Sequence, residues 1–257
     1  MIAVLLAAGC AHDATHASAV GASSSAPTTR PPSTRPASTP SPTTNAPAID
    51  ASYRARATGS TVDVYATPDA AAPTQTLPNP WNVDPRRPGA TVPQVFLVDP
   101  GATVAGWVHV FLPVRPNGSA GWVRASAVSV EQVDYRIVVR LGTHHITVTH
   151  LGTPIYDGPV ATGKPSTPTP TGNYYTRVLI RAVDPNTVYG PYAYGLSSHS
   201  DALSSFDGGD AEIGLHGNND ASVLGRSVTH GCIRMDNAEI TRLSALLPLG
   251  TPVIIQP

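Results

Sequence analysis

The chain is poor in the residues on which many sites depend. Only two cysteines, Cys10 and Cys232, occur in 257 residues. No CxxC, HExxH or clustered Cys/His pattern accompanies them, so the usual zinc signatures are missing. Charged residues make up 13% of the sequence and the formal net charge is −1. With no basic run, nothing marks a nucleic-acid partner. The apolar stretch at residues 2–9 is too short to span a bilayer. No cofactor and no metal is therefore expected.

What is present is strongly regional. The apolar stretch ends in Ala7-Ala8-Gly9-Cys10, which resembles the end of a bacterial lipoprotein signal peptide with Cys10 as the lipidated residue. No basic segment precedes it. Residues 1–10 are read as this signal, and an ordinary secretory remnant is the competing reading. Residues 11–50 are Ser/Thr/Pro/Ala-rich and nearly devoid of core-forming side chains, so nothing offsets the entropy of ordering them. They are expected to be a disordered tether. An exported chain whose Cys10 carries lipid would keep Cys232 as a lone thiol in an oxidising compartment, which suits a thiol that reacts. A Cys10–Cys232 disulfide would block it.

Residues 51–130 show short alternating runs at 61–66, 95–98, 106–112 and 121–125, with a turn signal at Pro116-Asn117-Gly118-Ser119. This predicts a small β-barrel. A second β-rich domain, 133–257, opens with strands at 135–140 and 145–150 around a glycine turn. A further strand runs from 153 to 162, and another from 174 to 182. Residues 184–210, rich in Gly, Ser and Tyr, read as one long connection able to lie over a peptide, with Tyr194 as a substrate contact. His199 within it reads as surface, as do His144, His145 and His150 on the hairpin. Asp236 to Glu239 resembles a capping box. Ile240, Leu243, Leu246 and Leu247 share one face of the short helix it opens, and 252–256 is the last strand.

Between these elements lie Ile213-Gly214-Leu215-His216-Gly217 and Thr229-His230-Gly231-Cys232-Ile233-Arg234. A thiol needs a base or a cationic neighbour before it is a useful nucleophile. His216 can reach Cys232 from another strand. His230 shares a face with it in extended backbone. The amides of Gly231 and Cys232 could meet an oxyanion, and the start of the following helix could favour the thiolate.

His216-Gly217, a spacer and then Thr229-His230-Gly231-Cys232-Ile233-Arg234 resembles the signature of the L,D-transpeptidase (YkuD-type) family. Gly163-Lys164 through Thr169-Pro170-Thr171-Gly172 resembles the same family's Gly-Lys…Thr-Pro-Thr-Gly stretch. Trp107-Val108-His109-Val110 and Gly121-Trp122-Val123 resemble a bacterial SH3-like domain. The resemblance implies a mainly β protein: a small SH3-like barrel, then a YkuD-type β-sandwich with a short C-terminal helix. It implies a peptidoglycan L,D-transpeptidase that forms 3→3 cross-links between stem peptides through a cysteine thioacyl-enzyme. Catalysis would fall to Cys232, His216, His230 and the carbonyl of Gly217. Gly231, Thr229, Arg234 and Tyr194 would contact substrate. The partners would be peptidoglycan stems and, through Cys10, the membrane, placing the protein in the cell envelope. The same acyl-enzyme discharged by water would make an L,D-carboxypeptidase. A wall-binding lipoprotein with a silent catalytic domain is the reading from a different class.

Overall fold

The computed structural model describes residues 2–4, 51–84, 89–206 and 208–257. Cys10 and the 11–50 tether lie outside the described residues, as does all of the 1–10 signal except the backbone of Ile2–Val4 (β1), which pairs in parallel with the end of β15.

A five-stranded antiparallel sheet comes first. It runs β10 (Val128–Val133), β2 (Ser52–Ala57), β7 (Val95–Val104), β8 (Trp107–Phe111) and β9 (Ala120–Arg124). The paired strands β3 (Thr61–Val64) and β4 (Gln75–Pro78) join it where Tyr65 bridges Trp122. A third ladder joins β5 (Trp81–Asn82) to β6 (Thr91–Val92). Inward-facing Ala55, Val62, Val64, Phe96, Val110 and Val123 form the core. Trp107 and Trp122 stay half-buried outside it. Trp107 lies edge-on to Tyr65 with the Arg124 guanidinium 4.5 Å from its ring centre, and Trp122 packs on His109.

At Asp134 the chain passes into a larger, curled sheet. Its order is β13 (Thr153–Pro159), β12 (His145–His150), β11 (Tyr135–Arg140), β20 (Pro252–Gln256), β15 (Gly172–Ala182), β16 (Tyr192–His199), β17 (Glu212–His216) and β19 (Ile233–Arg234). The long β15 belongs to both halves. Gly172 to Tyr175 pair with β20, and from Thr176 onward β15 pairs with β16, with a register shift between Thr176 and Val178. That bend folds the two halves over one core of Ile137, Val148, Tyr194, Leu196, Leu215 and Ile233 among others, which is how the expected sandwich is realised. Helix α1 (Asn237–Ser244) closes this core with Ile240 and Leu243. Asp236 caps it by accepting from the amides of Ala238 and Glu239. Glu239 does not return the bond but pairs with Arg242. Leu246, expected on the buried face, is exposed, while Leu247 just beyond the helix is buried.

The two sheets meet through apolar and polar contacts. Val95 and Leu97 pack on Tyr175, with Phe111 and Leu249 beside them. Arg177, 6% exposed, pairs with Glu212 and sits 4.0 Å from the Trp81 ring centre. A guanidinium suits such a stacked, desolvated position. No helix among the described residues is long and apolar enough to cross a membrane.

Candidate active site

β17 and β19 run in parallel with Leu215 opposite Ile233, which sets Cys232 beside Gly214. The Gly214 amide donates to Cys232 Sγ at 3.3 Å. A Cβ placed on Gly214 would lie 3.4 Å from His216 Cδ2 and 3.7 Å from Sγ. Thiol and imidazole thus flank one bare glycine, because Gly214 and His216 are two residues apart on the same face of the strand. Cys232 is half-buried and not in a disulfide.

His216 is 3% exposed. Its Nδ1 donates to the Gly217 carbonyl at 2.6 Å. A carbonyl can only accept, so the proton sits on Nδ1 and Nε2 keeps its lone pair. Burial pushes the His216 pKa down to about 4; the Gly217 contact opposes this and Arg234 adds to it. Gly217 has no room for a side chain, since a Cβ would come 2.2 Å from Asn237 Oδ1. Asn237 also accepts from the Asn218 amide, and Asn218 donates to the Met235 carbonyl at 2.8 Å. This pair of asparagines, unremarked in the sequence, holds the turn that carries the orienting carbonyl. Tyr189 covers the imidazole with ring centres 5.0 Å apart.

The 163–172 stretch supports the Cys232 loop. The Thr169 hydroxyl donates to the Gly231 carbonyl at 2.8 Å and accepts from the Gly163 amide. Thr167 donates to the Thr229 carbonyl, as does the Lys164 amide. Gly163 must be bare, because a Cβ would lie 2.3 Å from the Thr167 carbonyl oxygen. Thr169→Val keeps the shape and removes the hydroxyl, leaving the Gly231 carbonyl and the Gly163 amide without their partner. We expect a loss of about 1–3 kcal/mol in urea unfolding. Unchanged stability would show that this bond does not hold the loop.

Several expectations need correcting. Thr229 is not available to substrate: it is 1% exposed, donates to the Cys232 carbonyl at 2.6 Å and accepts from the Gly231 amide at 3.1 Å. That second bond also engages the Gly231 amide expected at the oxyanion, leaving the Cys232 amide as the donor with no hydrogen bond among the described residues. Gly231 keeps a conformational role at φ +120°, where a side chain would be strained. Tyr194 is fully buried and donates to the Leu243 and Leu247 carbonyls, so it anchors α1 rather than touching substrate. The helix start does not favour the thiolate, since Asp236 occupies its amides. Burial instead raises the Cys232 pKa, against the Gly214 amide and Arg234. The 184–210 connection is interrupted by the central strand β16. His199 is 2% exposed and its Nε2 lies 3.2 Å from Asp210 Oδ2.

The structure brings His216, His230, Cys232 and Arg234 together. His230 is exposed and packs against Phe206, the two rings tilted by 32° with centres 5.7 Å apart. Its pKa is lowered by partial burial and by the charges of Lys164 and Arg234. Arg234 has no ion-pair partner among the described residues, and its Nε is buried without a hydrogen bond. Lys164, seen in the sequence only as part of a motif, joins this cationic rim. Among the described residues no group of three or more His, Cys, Asp and Glu is placed to hold a metal ion.

Residues 134–255 match the family model described as the L,D-transpeptidase catalytic domain. The chain is 32% identical over 123 residues to the Bacillus subtilis protein named as the L,D-transpeptidase YkuD, covering 48% of this chain and 66% of that protein. It is 31% identical over 127 residues to the Bacillus licheniformis protein of the same name, covering 49% and 68%. Comparison with the solved L,D-transpeptidase from Mycobacterium smegmatis gives a TM-score of 0.40 at 16% identity, over 62% of this chain and 81% of that one. The chain spans about two thirds of the length of the curated relatives it matches. With the residues that flank Cys232 and His216 in place, the chain belongs to the YkuD family of L,D-transpeptidases.

Proposed function

We propose that this protein is a peptidoglycan L,D-transpeptidase acting outside the cytoplasm, with Cys232 as nucleophile and His216 as base. The observation that carries the reading is the arrangement at Gly214: a thiol and a correctly protonated imidazole on either side of a residue with no side chain. Cys232 Sγ attacks the carbonyl of the third residue of a donor stem, and His216 Nε2 takes the thiol proton. The Cys232 amide faces the developing oxyanion. The amide bond to the terminal D-alanine breaks and its nitrogen receives the proton held on His216. The amine of a neighbouring stem then attacks the thioester, gives up a proton to His216, and returns Cys232 as thiol with a 3→3 cross-link formed.

Lys164 and Arg234 give the mouth a positive rim suited to stem carboxylates, and His230 lines it. Residues 51–130 form, on this reading, an SH3-like module that holds the wall, with Trp107 and Trp122 half-exposed on one surface. The 11–50 tether and a lipidated Cys10 would place the enzyme at the membrane with reach into the wall.

The test is incubation of the full chain with disaccharide tetrapeptides, read by mass spectrometry. A product equal to two stems less one D-alanine is expected. Tripeptide alone would make the protein a carboxypeptidase, and no turnover would overturn the enzymatic reading in favour of a binding module.

A further inference from the structure

We propose that Arg115, on the turn between β8 and β9 of the smaller sheet, is a positioning residue for the Cys232 site, holding the loop after β16 so that Phe206 walls His230. This rests on the reading above for its effect on turnover, though not for the geometry. The Arg115 guanidinium donates to the carbonyls of Ser200 at 2.7 Å, Leu203 at 3.0 Å and Asp210 at 2.9 Å. It also reaches the Asp210 carboxylate at 3.3 Å. One planar fork therefore ties both ends of the loop, which a lysine could not do. Two residues on, the Asn117 side chain donates to the His199 carbonyl at 2.7 Å and to Asp201, and accepts from the His199 amide at 2.9 Å.

Inside the loop, Phe206 and Gly209 exchange backbone hydrogen bonds, and Ser200 Oγ accepts from the amides of Ala202 and Leu203. Phe206 is 42% exposed, so core burial does not fix it. Its ring partner is His230. The ion pair with Asp210 is solvent-exposed and contributes little by itself. What matters is that three carbonyls of a loop with few buried contacts share one donor group, since such loops open readily. The smaller sheet thus reaches across and supplies the order of one wall of the catalytic mouth.

The test compares full-length wild type with Arg115→Ala, Phe206→Ala and the double variant. NMR of the His230 imidazole reads the wall directly, because loss of the Phe206 ring current moves its resonances. Arg115→Ala should move them in the same direction as Phe206→Ala, and the double variant should match Phe206→Ala alone. With disaccharide tetrapeptide, each single variant should raise KM by about tenfold with a smaller change in kcat. Arg115→Lys should not restore it. His230 resonances that stay put in Arg115→Ala, or that shift additively in the double variant, would overturn the proposal. Should Arg115→Ala unfold the whole chain, Asn117→Ala, which frees the loop at His199 and Asp201, takes its place in the same comparison. Wild type without turnover would sink the transpeptidase reading, and the NMR comparison would still decide the role of Arg115.

Discussion

Cys232→Ala should abolish both the cross-linked dimer and the tripeptide, with turnover down by at least about 10⁴-fold. No other thiol among the described residues can take its place, since Cys232 is the free cysteine of the folded part. The fold should survive: Cys232 is half-buried, and its sulfur receives one weak bond, from the Gly214 amide. Removing a buried sulfur without disturbing its neighbours costs on the order of 1 kcal/mol, so the melting midpoint should fall only slightly. The sharper readout is covalent. Wild type stopped early should carry an added mass equal to the donor less D-alanine, displaced by hydroxylamine as a thioester is, and Cys232→Ala should carry none. Residual turnover within about tenfold of wild type would remove Cys232 from the chemistry and with it the thioacyl route.

The elements that could be read in advance are those whose own residues carry their pattern. Strands 135–140, 145–150 and 252–256 occur where alternation and a glycine turn place them, because one face of each points into a core of branched aliphatic residues. β2 carries no such signal, for the opposite reason. Its inward face is Ala55 and Ala57 between arginines, so alternation is there but hydrophobicity is not. Composition masks β16: Tyr194 and Leu196 face the core while Ser197 and His199 are also buried, His199 against Asn117 of the smaller sheet's turn, a cover no local pattern announces. The same cover explains why His199, read as surface, is enclosed by Asp210 and Arg115. In the candidate site, Cys232, His216 and the Gly217 carbonyl could be anticipated from chemistry and spacing. Thr169, sixty-two residues from its partner Gly231, could not, since sequence distance says nothing of which loops meet. The Gly231 amide is a different case, since the hydroxyl that claims it belongs to Thr229, only two residues away, and local spacing does not say whether that side chain turns inward or towards substrate.

The second large effect concerns His216 and its pH dependence. A buried imidazole with a pKa near 4 beside a thiol with a raised pKa is a neutral pair at pH 7. The proton must move during attack rather than before it. Iodoacetamide alkylation of Cys232 should accordingly lack the neutral plateau of a preformed thiolate and keep rising towards alkaline pH. The acid limb of kcat/KM, set by the need for a bare Nε2, should lie near pH 4 to 5 instead of at the ordinary histidine value. His216→Gln should lower kcat/KM by about 10²–10⁴-fold and erase that limb; a limb that persists would move the base elsewhere, with His230 the nearest candidate. Stability follows from the same group. Because the folded pKa is depressed from 6.5 to about 4, the unfolded chain binds a proton in this window that the folded chain does not. The stabilisation is complete above about pH 6.5 and drains away as pH falls towards 4, by roughly 2–3 kcal/mol. Urea unfolding at pH 7 and pH 4.5 should therefore show wild type losing more stability than His216→Gln, in which this contribution is gone and all other titrations are shared. Equal losses in the two proteins would mean that His216 stays protonatable in the fold, and a buried neutral base would then have to be given up.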